Sequence, residues 1–325
     1  MSAKIIHVSE DTEVAIREAK AVLSRGLPVA IPTETVYGLA ADATQPLAIT
    51  RIYETKGRPR FNPLICHMAD LAMAERYAVI DPVSRQLAEH FWPGPLTLIL
   101  PLKPDCGIHS LATAGLATVG LRVPKGWSSA LIHAYGRPLA APSANTSGKV
   151  SPTSAQHVAE DLGEKLELIV DGEAAPVGVE STIVRVEGDG IHLLRPGGVS
   201  AEELEAATGL PVIRMSSPSP TIEAPGMLAS HYAPSASVRL NAREASAGEA
   251  VLCFGDVPVA GLDQAALVLN LSPSADLREA AANLFDYLKK ADAAALTGIA
   301  VVPIPHDGLG EAINDRLSRA AAPRT

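Results

Sequence analysis

Residues 211–234, PVIRMSSPSPTIEAPGMLASHYAP, hold five prolines and four serines and carry neither a helical nor a strand period of apolar side chains. No regular element is expected to run through such a stretch. The pattern stops there and restarts afterwards, so a chain of 325 residues reads as two folded units with a break between them. The expected divisions are 1–209, a Pro-rich linker over 210–234 and a smaller unit over 235–325.

Before the break, helical and strand-like stretches alternate. Asp11 to Arg25 reads as a helix with Ser9 or Asp11 as its cap and Gly26 as its stop, and the short strand LPVAI (27–31) follows. Further helices are expected around 46–56, 71–78, 83–91, 127–136 and 154–162. Strands are expected over LTLILPL (96–102), TVGLRV (118–123), PLAAPSAN (138–145, entering a loop) and LELIVDG (166–172). Residues 181–197 look like a hairpin around Gly188, Asp189 and Gly190, and 200–209 like a capping-box helix with Ser200 at the cap and Glu203 three residues on. The mixture implies an α/β fold, a sheet with parallel and antiparallel pairs and helices on its faces. After the break, SVRL (237–240), AVLCFG (250–255), ALVLNL (266–271), a long helix over 275–296, GIAVVPIP (298–305) and a helix near 309–320 suggest a small Rossmann-like βαβ unit with a parallel sheet.

Lys and Arg total 27 against 36 Asp and Glu, a net charge of −9, so there is no chain-wide electrostatic footprint for nucleic acid. Residues 51–60, RIYETKGRPR, are locally basic, with four cationic side chains against Glu54. That concentration suits a small polyanion. Cys66, Cys106 and Cys253 lie far apart with no C-x-x-C spacing, which points to a reducing compartment and away from a disulfide framework or a cysteine zinc site. Charges are spread through the first twenty positions and no uncharged run is long enough to span a bilayer, so the expectation is a soluble, cytoplasmic protein with no membrane partner.

In open α/β sheets, ligands gather in the crevice beyond the strand ends. Four polar loops qualify: PTETVYGL with Thr33, Glu34 and Thr35; KGRPRFNPLICH with Lys56, Arg58, Asn62 and His67; APSANTSGKVSP with Ser143, Asn145, Ser147, Lys149 and Ser151; and GVESTIV with Glu180, Ser181 and Thr182. Lys and Arg neutralise phosphate charge, while Ser, Thr and Asn add neutral hydrogen bonds. The set suggests a nucleotide polyphosphate site. Each loop alone reads as a solvated turn bonding its own backbone, and it is their repetition after successive strands that favours a shared pocket. Thr118 and Arg122 stand four apart on one strand, hence on one face. No G-x-x-x-x-G-K-[ST], G-x-G-x-x-G, H-E-x-x-H or G-x-S-x-G occurs, so a standard P-loop, a histidine zinc site and a Ser-His hydrolase are not indicated.

In this order, PTETVYGL, KGRPRFNPLICH, WPGPLTLIL, GLRVP, APSANTSGKVSPT, GVESTIV, LLRPGG and APGMLASHYAP resemble the motifs of the threonylcarbamoyl-AMP synthases of the YrdC-like superfamily, in their two-domain form. The resemblance is dense over 10–234 and a matter of layout beyond. It implies a YrdC-like twisted mixed sheet. It also implies condensation of L-threonine, bicarbonate (or CO2) and ATP into threonylcarbamoyl-AMP with loss of pyrophosphate, the first step toward N6-threonylcarbamoyladenosine in tRNA. By the same resemblance, Thr33, His67, Arg122 and Ser181 would hold threonine, with Arg122 taking its carboxylate. ATP would meet Lys56, Arg58, Asn62, Thr118, Ser143, Asn145, Ser151, Arg195, His231 and Tyr232, with Lys56, Arg58, Ser143 and Asn145 as the catalytic set. Mg2+ would bridge the phosphates without ligands from protein side chains. The linker, with Pro225, Gly226, His231 and Tyr232, would lie across the cleft as a lid, and a tRNA threonylcarbamoyl-transfer machinery would receive the product.

The family tends to have a second glycine after Asp171-Gly172, where this chain has Glu173, which leaves the shape of that turn open. Two other functions compete. A module binding double-stranded RNA or tRNA would use the 51–60 loop and show salt-dependent affinity, but the acidic total favours the enzyme. Carbamoyl-phosphate handling requires attached zinc-finger and acylphosphatase segments, which these 325 residues do not contain.

Overall fold

A computed structural model describes residues 2–214, 224–225 and 232–323. Among them, eleven strands form one sheet. They are β1 Lys4–His7, β2 Val29–Ile31, β3 Gly38–Asp42, β4 Ile65–His67, β5 Leu96–Pro101, β6 Thr118–Arg122, β7 Leu139–Ala140, β8 Leu168–Asp171, β9 Thr182–Glu187, β10 Gly190–Arg195 and β11 Val212–Arg214. Their spatial order is β1-β8-β2-β3-β7-β4-β6-β5-β9-β10-β11. The sheet is mixed, as the alternating pattern implies: β4 lies parallel to β6, for instance, and antiparallel to β7. The helices of this unit are α1 Thr12–Ser24, α2 Pro46–Lys56, α3 Leu71–Tyr77, α4 Pro82–Phe91, α5 Trp127–Tyr135, α6 Ala155–Leu162 and α7 Ala201–Thr208.

Local chemistry sets the boundaries of these elements. Asp11, Asp70, Asp81, Ser154 and Ser200 each accept a backbone N–H from the first turn of the helix they cap, satisfying a donor that helix geometry leaves unpaired. Helix α2 ends on Gly57, which takes the left-handed conformation (φ 60°). That stop turns the chain so that Arg58 re-enters the molecule, its N–H bonded to the Tyr53 carbonyl at 2.9 Å.

Four strands escape the periodic pattern, among them β4, whose three residues end the stretch read as the loop KGRPRFNPLICH. β1 and β11 are edge strands whose side chains are mostly exposed, so no alternation marks them. β11 corrects the expectation of an unstructured 210–234, because Val212 to Arg214 pair in parallel with β10. β3 is wholly buried and rich in alanine, which disguises it as a loop. The turn at Glu173 keeps a glycine-like backbone without the glycine: φ is +69°, its N–H reaches Asp171 Oδ1 at 3.0 Å and its carbonyl accepts Tyr37 Oη at 2.7 Å.

In the C-terminal unit, β12 Val238–Arg239, β13 Glu249–Cys253, β14 Leu267–Asn270 and β15 Gly298–Val301 form an all-parallel sheet in the order β12-β15-β13-β14. It is covered by α8 Leu277–Ala293 and α9 Leu309–Ala321. The apolar stripe of α8, Ala280, Ala281, Leu284, Phe285, Leu288 and Ala291, is buried. Each large member contributes about 1.5–3 kcal/mol of burial free energy. The same cluster takes in Val36, Val150 and Val179 from the first unit, so this unit packs on the backs of three of its polar loops. Gly178 marks the contact: a Cβ there would lie 2.3 Å from the Ala281 carbonyl oxygen.

Candidate active site

Sheet order converts distant sequence into one wall. Parallel pairing of β4 with β6 sets His67 beside Arg122, and pairing of β5 with β9 sets Leu96 beside Thr182, which brings Thr97 Oγ1 within 2.8 Å of Ser181 Oγ. An isolated bridge between Gly38 and Ser143 joins the first and third polar loops. The result is a cavity of about 50 Å3 lined by Thr35, Val36, Arg58, Ile65, His67, Arg122, Ala141, Pro142, Ser143, Glu180, Ser181, Arg195, Pro225 and Tyr232.

Of the residues expected to bind substrates, Arg58, His67, Arg122, Ser143, Ser181, Arg195 and Tyr232 line this cavity together. Lys56 stands behind it. Its buried ammonium donates to the Ser143 and Asn145 carbonyls at 2.6 and 2.5 Å, and burial, then the nearby Arg58 charge, pull its pKa well below the usual lysine range. Lys56 thus shapes the Ser143–Asn145 loop instead of facing the cavity. Asn62, Asn145 and Ser151 are also buried behind the lining. Asn145 Nδ2 closes its own loop onto the Thr146 and Lys149 carbonyls, both at 2.9 Å.

Thr33 is not in the lining, because its hydroxyl donates to the Val36 carbonyl at 2.6 Å and forms the turn. Thr35, two residues on, lines the cavity. Thr118 shares a strand with Arg122 but begins that strand opposite Pro101, away from the cavity. His231 and Gly226 lie outside the described residues.

The cationic groups are held by their surroundings. Arg58 donates to the Asn62 and Pro63 carbonyls at 3.3 and 2.9 Å, and burial lowers its guanidinium to about 10, still a cation at neutral pH. Arg195 donates through Nε and Nη2 to the Ser181 carbonyl at 3.1 and 2.8 Å, and through Nη1 to the Pro225 carbonyl at 3.3 Å. The close approach of its loop to Glu180 requires Gly197, whose Cβ would fall 2.3 Å from the Glu180 carbonyl oxygen. Arg122 Nη2 lies 2.8 Å from Glu34 Oε1, yet neither atom makes a hydrogen bond. The two charges touch off the hydrogen-bonding direction, while Arg122 Nε donates to the Gly94 carbonyl at 3.2 Å. Burial, then Arg122, hold the His67 pKa well below the ordinary histidine value, and its Nδ1 is without a partner.

Two contributors have a sequence signal that the loop reading passes over. Thr97 is a hydroxyl within the aliphatic run LTLILP. Arg316 occupies a position of the buried stripe of α9 formed by Ala312, Ile313, Leu317 and Ala320; an arginine on an apolar face needs a partner, and Glu180 Oε2 accepts from its Nε at 2.8 Å.

The basic run 51–60 does not form a surface patch. Arg51 is spent on the Arg25 and Gly26 carbonyls, Lys56 and Arg58 are buried, and Arg60 is exposed. Among the described residues no helix is long and apolar enough to cross a membrane, and Cys66, Cys106 and Cys253 are free thiols.

Comparison with known proteins places this geometry. A family model of the Sua5, YciO and YrdC proteins, described as telomere recombination, matches residues 21–197, and one described as the threonylcarbamoyl-AMP synthase C-terminal domain matches 199–322. The threonylcarbamoyl-AMP synthase of Bacillus subtilis is 41% identical over 95% of this chain and 93% of its own length. The crystal structure of Pyrococcus abyssi Sua5 complexed with L-threonine superposes with a TM-score of 0.88 at 38% identity, covering 98% of both chains. A variant of that protein with a His and a Tyr replaced by alanine gives 0.88 at 36% identity, covering 98% of this chain and 96% of its own. With both units matched, and relatives aligned along nearly its whole length, the chain belongs to the threonylcarbamoyl-AMP synthase family of enzymes.

Proposed function

We propose that the cavity joins L-threonine, CO2 from bicarbonate and ATP into L-threonylcarbamoyl-AMP and releases pyrophosphate, supplying the N6-threonylcarbamoyladenosine modification of tRNA in the cytoplasm. The observation that carries this reading is the convergence of Arg58, Arg122, Arg195, His67 and Ser181 on one cavity. An amino acid needs a cation for its carboxylate and uncharged partners for its polar side chain. Arg122 supplies the first. Ser181, Thr35 and the neutral imidazole of His67 supply the second. That the P. abyssi structure holds L-threonine supports this assignment.

The threonine amine attacks CO2, forming an N–C bond and losing a proton, and a carbamate oxygen then attacks the α-phosphorus as the bond to pyrophosphate breaks. Such transfers depend on alignment and charge stabilisation more than on covalent help. Arg58 and Arg195, fixed in advance by backbone carbonyls, face the phosphates at no reorganisation cost. Lys56 serves them by holding the Ser143–Asn145 loop. Magnesium brought with ATP would offset phosphate charge without protein carboxylates, since Glu34 and Glu180 are each engaged by an arginine.

Pro225 and Tyr232 are part of the cavity wall. The place of these two residues in the wall supports a lid role for the linker, excluding water from a labile product. The test is direct. Incubation with ATP, L-threonine and bicarbonate should yield the threonylcarbamoyl adenylate by mass spectrometry; ATP turnover that gives no such adduct contradicts the reading.

A further inference from the structure

Arg316 is the fully buried charged side chain among the described residues of the C-terminal unit. It crosses between the units. Its Nε donates to Glu180 Oε2 at 2.8 Å, its Nη1 to Asp315 Oδ2 at 2.6 Å, and its guanidinium carbon stands 5.2 Å from the Tyr232 ring centroid. Tyr232 is in turn stacked on Phe285 of α8, centroids 5.5 Å apart, and Glu180 Oε1 accepts from Ser151 Oγ at 2.6 Å. Glu180 and Tyr232 line the cavity while Arg316 does not. One side chain of the second unit thus braces two walls of the site built by the first.

We propose that Arg316 is a positioning residue for nucleotide binding: it neutralises the Glu180 carboxylate and fixes the Tyr232 ring, so that the C-terminal unit completes the cavity. This rests on the reading that the cavity takes ATP. Glu180 is the carboxylate in a lining otherwise suited to phosphates. Left bare, it would repel them at short range in a water-poor space, where charge acts strongly. A bridge that merely glued the units together would lower Tm and leave the KM for ATP near that of the parent, whereas an uncompensated charge in the cavity wall raises the ATP KM selectively.

The groups facing Glu180 are Arg316 from α9, Arg195 at the end of β10, Ser151 from the loop before α6, and the Tyr232 ring. Burial alone would raise the Glu180 pKa, and Arg316, then Arg195, outweigh it. Without Arg316 the carboxyl moves up, so the Arg316→Met enzyme should bind nucleotide better as pH falls and Glu180 takes a proton, an acid-side gain that the parent lacks.

The experiment compares the full-length parent with Arg316→Met, Arg316→Lys, Glu180→Gln and Arg316→Met/Glu180→Gln. It measures KM for ATP and threonine, kcat, and direct binding of a non-hydrolysable ATP analogue, with Tm as the check on folding. Arg316→Met should raise the ATP KM about tenfold or more while kcat changes by roughly threefold or less, the size expected of one uncompensated buried charge. The double variant should return to within about threefold of Glu180→Gln. An ATP KM for Arg316→Met within about twofold of the parent overturns the proposal, as does a double variant as impaired as Arg316→Met. Should Arg316→Met fail to fold, Arg316→Lys against Arg316→Lys/Glu180→Gln makes the same comparison. A parent that binds the analogue without threonine-dependent turnover sinks the reaction assigned above and leaves this test intact.

Discussion

From Thr33 to Arg195 the first unit buries arginines, a lysine, carboxylates, a histidine and several hydroxyls, whereas the described residues of the C-terminal unit bury Ser272 and Arg316 alone among polar side chains. Ser272 is spent inside its own unit, on Glu279 and the Asp276 N–H. Arg316 faces out of it. A family of many buried charges is costly unless each is paired, which is why every arginine at the cavity wall is tied to a carbonyl or a carboxylate. The second unit avoids that cost with aliphatic packing and delivers one charge where the first needs it. Chemistry and support are thereby divided between two sheets of different character.

The largest way to break this contrast is to hollow out the supporting unit. Phe285→Ala removes a fully buried ring and the stacking partner of Tyr232, and should cost about 3–5 kcal/mol of stability, read as a lowered denaturant midpoint. A midpoint unchanged from the parent would mean that the C-terminal unit is not packed as described. In the charged unit the expected loss is catalytic. Arg122→Gln should cut kcat/KM for threonine by a hundred- to a thousandfold, about 2.7–4 kcal/mol of transition-state stabilisation, and threonine kinetics close to the parent's would remove Arg122 from the carboxylate site.

The contrast also predicts a pH response at the cavity wall. His67 is buried with its pKa held well below the free value, so the unfolded chain takes up a proton near pH 6.5 that the native state refuses. Stability from this group is complete above pH 6.5 and falls as pH drops below it, by up to about 1.4 kcal/mol per pH unit. Urea midpoints taken from pH 7 down to 5 should show that slope, and His67→Asn should reduce it, leaving the part due to His157, whose pKa burial also lowers; an equal slope in the variant would trace it to another group. The smallest effect concerns the turn beside Tyr37. Glu173 holds a left-handed φ of +69°, so Glu173→Gly should stabilise by about 0.5–1 kcal/mol net of the freer unfolded chain. A loss of stability would show that the glutamate side chain matters more than the backbone strain.

What could be read from sequence follows the same division. Helices with a capping residue and an apolar stripe, such as 154–162 and 200–209, declare themselves, because burial and termination both leave marks. Edge strands at Lys4–His7 and Val212–Arg214 leave none, since half their bonding and most of their side chains face outward. Among site residues, Arg58 and Ser181 are legible because polar loops recur beside strands, and Arg122 because it is a cation on a strand face. The exchange of Thr33 for Thr35 is not, because it depends on which of two neighbouring hydroxyls closes the turn. Arg316 sits far from every polar loop in sequence, and only the docking of α9 against Glu180 reveals it.

The central claim is that one cavity holds an amino acid and a nucleotide for a single condensation. Pyrophosphate release by the full chain, measured with ATP present and with threonine and bicarbonate omitted in turn, tests it most directly. The account predicts that release falls to background when either is left out. Release that continues unchanged without threonine would contradict it.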